Sequence, residues 1–67
     1  MDKKSLTNDE IRQHISLWMS ELFNNNVHAD NVKIAVTKAI EKVVTLKLKN
    51  DIVDIEKLNI VFREIKP

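Results

Sequence analysis

The sequence predicts an all-α domain built of three helices. Apolar residues recur at the three- and four-residue spacing of a helix in three successive stretches. That periodicity breaks at residues 24–26 and at residues 50–51, where asparagine and aspartate cluster. The chain has no glycine, and its one proline is the last residue, so asparagine and aspartate must supply any turn that needs a positive φ. The two clusters therefore separate three helices.

The first helix has the clearest start. Thr7 and Glu10 have the spacing of a capping box, in which each side chain bonds the other residue's amide. Leu6 and Ile11 stand at the positions of a hydrophobic staple, which fixes the entry of the chain into the helix. We expect the helix to run to about Phe23. Its predicted buried face comprises Ile11, Ile15, Trp18, Met19 and Leu22, with Phe23 at the margin.

The central helix, predicted over residues 29–50, is the element on which the others pack. At about 100° per residue its apolar side chains cover a face that approaches half the circumference. A face this wide needs packing partners on two sides, from the same chain or from another. Lys38, Lys42 and Lys49 lie within about 40° of one another on the opposite edge. The apolar face comprises Val32, Ala35, Val36, Ala39, Ile40, Val43 and Leu46, and Val44 borders it.

The second and third helices each have more than one candidate N-cap residue. Asn26, His28 or Asp30 can cap the second helix, and Asp51 or Asp54 can cap the third. The predicted start of the second helix can therefore shift by several residues.

The third helix is predicted over residues 54–65, with Ile52 and Val53 extended before it. The preceding segment "VVTLKLK" alternates between apolar and polar residues, so a strand hairpin is the alternative interpretation of this region. Ile60 falls opposite the apolar stripe, which indicates a second contact. The stripe comprises Ile55, Leu58, Val61, Phe62 and Ile65.

Length and composition limit what such a domain can be. A chain of 67 residues forms one domain and buries only about 60% of its unfolded surface. It has no cysteine to form disulfides, so we expect it to gain stability as a dimer or higher oligomer. Residues 1–6 read as a flexible tail. We expect a soluble, intracellular protein, since no segment resembles a membrane span or a signal peptide.

The residue types of enzyme sites are present but isolated. His14 has no nucleophile or partner base placed beside it, and His28 with Asp30 supplies too few ligands for a metal. A chain without glycine cannot form a glycine-rich phosphate loop. We therefore expect no enzymatic activity, no metal and no cofactor. The lysines of the central helix either neutralise phosphates or form a solvated face, and the net charge of +1 does not decide between the two.

The order of the elements resembles a histone fold, in which a short, a long and a short helix follow one another. "VHADNVKIAVTKAIEKV" resembles the first loop and the start of the long helix of that fold, and "IVDIEKLNIVF" resembles its second loop and third helix. Among histone-fold proteins the chain is most similar to the centromere protein X family, whose members consist of little beyond the fold. The similarity covers nearly the whole chain.

The resemblance implies a subunit that pairs with a centromere protein S-like histone-fold partner. Such a pair binds double-stranded DNA without sequence preference, in kinetochore assembly and DNA repair in the nucleus. DNA would lie over residues 24–28 and the cations Lys47, Lys49, Lys3, Lys4 and Arg12. The implied partner interface comprises Val32, Val36, Ala39, Ile40, Val43, Leu46 and Ile60.

A second hypothesis comes from the helices alone. The chain can be a small bacterial or phage three-helix protein that self-associates and acts on another protein, with its lysines merely solvated. In that case it is cytoplasmic and binds no DNA.

Overall fold

The computed structural model describes residues 4–65, and every regular element in that range is a helix. The elements are α1 (Asn8–Asn24), α2 (Ala29–Leu48) and α3 (Ile55–Glu64). The all-α prediction is therefore confirmed. The alternative of a strand hairpin is wrong, because the alternating segment continues α2. α1 has 17 residues and α2 has 20, so the expected disparity between a short first helix and a long second one is small.

The start of α1 is fixed by the predicted capping box. The Thr7 amide donates to Glu10 Oε1 at 3.1 Å, and the Glu10 amide donates to Thr7 Oγ1 at 3.2 Å. The hydrogen bond from the Thr7 amide lowers the pKa of the Glu10 carboxyl below its ordinary value. The stabilising effect of this carboxylate is therefore present above the ordinary pKa and is lost as the pH falls through the lowered pKa.

Leu6 is held in place, although we expected residues 1–6 to form a flexible tail. Its amide donates to the Val53 carbonyl at 2.8 Å, and its side chain packs against the core beside Ile11. The segment before α1 is thereby joined to the segment before α3. The first three residues of the predicted tail lie outside the described residues.

Both interhelical turns use an asparagine in the left-handed region. Asn26 and Asn50 each have φ of 61°. After α1, the Val27 amide donates to the Leu22 carbonyl and the Asn26 amide to the Phe23 carbonyl. The same pair of bonds follows α2, from residues 51 and 50 to residues 46 and 47. Both turns are therefore Schellman motifs, with asparagine in the position that glycine usually occupies.

The two ambiguous caps are resolved at His28 and Asp54. His28 occupies the N-cap of α2 with extended backbone and makes no side-chain capping bond. Asp54 caps α3, since its Oδ1 accepts from the Lys57 amide at 2.9 Å. The second helix therefore begins without the side-chain bond that the other two helices have.

The core consists of two adjoining apolar clusters, in which α1 and α3 cover α2 from two sides. The aromatic rings of Trp18 and Phe62 stack between α1 and α3, with centroids 4.5 Å apart. One cluster comprises Trp18, Leu22, Val32, Ala35, Ala39 and Val61. The other comprises Ile11, Ile15, Val43, Val53 and Leu58.

Three residues predicted on buried faces are exposed. Phe23 is 49% exposed, Ile40 is 46% exposed and Ile55 is 42% exposed. Phe23 and Ile40 lie at the margins of faces whose centres are covered, and Ile55 is the first residue of α3.

No helix in the described part of the chain is long and apolar enough to span a membrane.

Loss of the α1 cap should lower stability by a predictable amount. We expect Thr7→Ala to reduce the free energy of unfolding by about 1 kcal/mol, because the Glu10 amide loses its acceptor. Urea denaturation followed by circular dichroism measures the change. Thr37→Ala is the matched control, since Thr37 lies inside α2 and bonds only the Lys33 carbonyl. An equal loss in both variants would contradict the assigned cap.

Glycine should be preferred where asparagine now has a positive φ. We expect Asn50→Gly to raise the free energy of unfolding by a few tenths to about 1 kcal/mol, because glycine has no Cβ to crowd the backbone. Asn59→Gly, the same change inside α3, should instead lower it by a few tenths of a kcal/mol. Equal signs for the two changes would contradict the conformation of Asn50.

Candidate interaction groove between α1 and α2

Residues 4–65 contain no cluster of three or more histidine, cysteine, aspartate or glutamate side chains placed to hold a metal ion. No polar or charged side chain in this range is buried. The features that stand out are instead apolar side chains that remain exposed to solvent.

A groove of about 600 Å³ runs between α1 and α2. All of its described lining residues belong to these two helices. Ile11, Ile15 and Val43 are core residues at its base, and α3 contacts the same cluster through Leu58. The groove therefore lies along the margin of α2 that α1 and α3 leave uncovered.

The walls of the groove are apolar and accessible. Val36, Ile40 and Val44 recur every four residues along α2 and so form one row on its surface. Ile40 is 46% exposed and Val44 is 51% exposed. Met19 and Val36, both half-buried, line the groove too. A continuous apolar surface of this kind is more informative than single exposed aliphatic residues.

Arg12 and Lys47 are the charged residues that line the groove in the described part of the chain. Lys47 Nζ donates to Asn8 Oδ1 at 2.6 Å, which joins the end of α2 to the start of α1. An amide oxygen is a neutral acceptor, so this bond leaves the charge of Lys47 unbalanced. The groove therefore combines apolar walls with positive charge.

The residues predicted to bind DNA are partly brought together. Arg12 and Lys47 border the same groove, and Lys49 follows the end of α2. Lys4 lies elsewhere, beside Asp54 and the first turn of α3. Lys3 is outside the described residues.

The first loop lies far from Lys47 within one chain. Residues 24–28 precede α2, whereas Lys47 is in its last turn, so a distance of about 28 Å along the helix separates the two. The DNA-binding surface implied by the resemblance would therefore need the loop of a second subunit.

One lysine of the basic edge predicted for α2 contacts the end of α3. Lys42 Nζ lies 2.6 Å from Glu64 Oε2, and both side chains remain about half exposed. An ion pair this accessible contributes only about 0.2–1 kcal/mol. One of the three aligned lysines therefore has a partner within the chain.

The residues of the predicted partner interface differ in how far they are buried in the single chain. Val32, Ala39 and Val43 are buried in the core of the single chain, and Val36 and Leu46 are half-buried. Ile40 and Ile60 are exposed on different helices. Ile40 is in the groove, but Ile60 does not line it.

Sequence reasoning missed the contribution of α1 to this surface. Met19 packs half-buried against the core, as predicted, and it also lines the groove together with Arg12, for which the sequence predicts only DNA contacts. On α2 the sequence does indicate an apolar margin beside the buried face, because Val44 borders that face. The sequence does not show which residues of α1 line the groove, because the rotation of α1 about its axis depends on how it packs on α2.

Comparison with known proteins gives no relative. No protein-family model matches the chain, and neither the curated proteins nor the solved structures contain a match.

Introducing a carboxylate at the adjacent positions Val43 and Val44 should have different effects on stability. We expect Val43→Glu to unfold the domain, since an unpaired carboxylate in the core costs several kcal/mol. Val44→Glu should change the free energy of unfolding by no more than about 0.5–1 kcal/mol, because position 44 is half exposed. Thermal denaturation of both variants measures the difference. An equally severe effect at position 44 would mean that the groove is covered in solution.

Proposed function

We propose that this protein is a non-enzymatic interaction module that binds another protein in the groove between α1 and α2. The observation that supports the proposal is the row of accessible apolar side chains on α2, in a groove whose base belongs to the core. Surfaces that bind proteins commonly combine an apolar centre with a polar rim. Arg12, Ser16 and Lys47 supply polar groups in this groove.

The energetics of the groove favour occupation. Ile40 and Val44 each retain about half of their accessible surface. Full burial of such a side chain is worth about 1.5–3 kcal/mol, so covering the exposed half of each contributes on the order of 1 kcal/mol. Because the residues at the base of the groove already pack in the core, they lose little further conformational entropy when a partner binds there.

Photo-crosslinking in cells that express the full chain tests the proposal. A photoreactive amino acid at position 44 lies in the groove, whereas the same group at position 34 is equally exposed on α2 but outside the groove. We expect position 44 to crosslink one protein that position 34 does not. The identified protein is then purified and titrated against the wild-type chain by calorimetry.

Matched variants decide whether the groove is the binding surface. We expect Ile40→Glu to weaken binding at least tenfold, since a carboxylate cannot be buried against the apolar base. Ile34→Glu adds the same charge outside the groove and should leave affinity unchanged. Equal affinities for both variants would refute the proposal. A crosslink at position 44 only to a second copy of the chain would replace it with self-association.

A second candidate function is the non-specific DNA binding expected of a nuclear histone-like pair. The position of Arg12 beside the same groove as Lys47 favours it, since two neighbouring cations can contact adjacent phosphates. In this proposal the chain forms an oligomer, with a centromere protein S-like partner or with itself, and the first loop of one subunit lies near Lys47 of the other.

Salt dependence tests the DNA-binding candidate. We expect the variant carrying Arg12→Glu and Lys47→Glu to weaken duplex binding equally for all sequences. The slope of log affinity against log salt should fall by about 0.9 for each lost phosphate contact. Fluorescence anisotropy with labelled duplexes measures both.

The control for that experiment is Lys33→Glu with Lys38→Glu. Both lysines are exposed on α2 outside the groove, so the total charge changes equally. Lys42 is unsuitable because it pairs with Glu64. Equal loss of affinity in both double variants, or no salt-dependent affinity in the wild-type complex, would contradict this candidate.

A further inference from the structure

The dimensions of the groove match a single helix. Its lining residues on α1 extend from Asn8 to Met19, a length of about 17 Å or three helical turns. On α2 the row from Val36 to Lys47 covers the same distance. A helix satisfies its own backbone hydrogen bonds, whereas an extended segment would leave amides unpaired against these apolar walls. The shape therefore favours an amphipathic helix.

The charges in the groove are concentrated at one end. Asn8 and Lys47 are in contact, so the end of α2 lies beside the start of α1. Arg12 is one turn further along α1 on the same side as Asn8. The opposite end, at Met19 and Val36, has no charged lining residue among those described. An occupant therefore meets positive charge at one end only.

We infer that the groove binds one amphipathic helix of another protein, with carboxylate side chains at the end that lies beside Arg12 and Lys47. This inference rests on the proposed function, and it adds the secondary structure and the charge of the bound segment. The apolar residues of the helix pack between Ile40, Val44 and Met19. Its carboxylates pair with the two cations, which lack an acidic partner in the described lining of the groove.

A second copy of the chain fits these charges poorly. If two grooves faced each other, each would present Arg12 and Lys47 and no carboxylate among its described lining residues. Such a pair supplies no carboxylate to these cations in either relative direction of the two grooves, and it juxtaposes like charges when the grooves run in the same direction. The described part of the chain before α1 does not enter the groove either, because Leu6 is bonded to Val53 and packs in the core.

A displayed library of helical peptides tests the inference without knowledge of the natural partner. Each peptide has fourteen residues, with leucine fixed at positions 4, 8 and 11 and the three residues at each end randomised. The library is selected on the folded full chain. We expect aspartate and glutamate to be enriched at one end of the selected peptides, and their replacement by glutamine to weaken binding about three- to tenfold at low salt. This difference should shrink as salt is added.

A charge exchange assigns the contact to the two cations. Selection on the variant with Arg12→Glu and Lys47→Glu should enrich lysine and arginine at the same end of the peptide. The variant with Lys33→Glu and Lys38→Glu should still select acidic peptides. An acidic preference that persists after the charge of Arg12 and Lys47 is reversed would refute the inference.

The remaining outcomes separate this inference from the proposed function. Peptides that bind the wild-type chain, lose affinity with Ile40→Glu and show no charge preference would overturn the inference and leave the interaction module standing. Selected peptides that bind equally well to the Ile40→Glu variant would overturn both, because the groove would not be the binding surface.

Discussion

α2 carries an apolar face that is wider than one helix can cover, and the arrangement of the domain follows from this constraint. Ala39, at the centre of that face, is completely buried, while α1 and α3 pack on its two sides. Small side chains at positions 35 and 39 allow the neighbouring helices to approach α2 closely. Leu6 and Val53 then join the segments that precede α1 and α3.

The coverage is asymmetric, and the asymmetry produces the groove. α3 packs across both other helices, with Leu58 completely buried. On the opposite margin α1 covers Val43 but leaves Ile40 and Val44 accessible. The same margin of α2 ends in Lys47, whose bond to Asn8 joins the two helices. Apolar surface and positive charge are therefore placed in one groove by a single packing arrangement.

Local features of the fold could be predicted from the sequence because neighbouring residues determine them. The capping box depends only on Thr7 and Glu10, and the turns depend on asparagine in a chain without glycine. The centre of each buried face was also predictable, since a residue such as Ala39 lies equally far from both margins. These features do not depend on how the helices are rotated about their axes.

The margins and the candidate site could not be predicted in the same way. Ile40 and Phe23 are apolar residues at the edges of their stripes, and a rotation of about 20–30° decides whether such residues are covered. The partner of Lys42 depends on where α3 ends, which periodicity along α2 does not show. The groove belongs to two helices at once, so no single stretch of sequence contains it.

The stacked pair of Trp18 and Phe62 has a consequence for how the molecule can be observed. Trp18 is the chain's one tryptophan, and it is buried where the first and last helices meet. Its fluorescence therefore reports the docking of α3 on α1, whereas far-ultraviolet ellipticity reports helix content. Comparing the two signals distinguishes a chain that is helical but undocked from one that is fully assembled, without an added label.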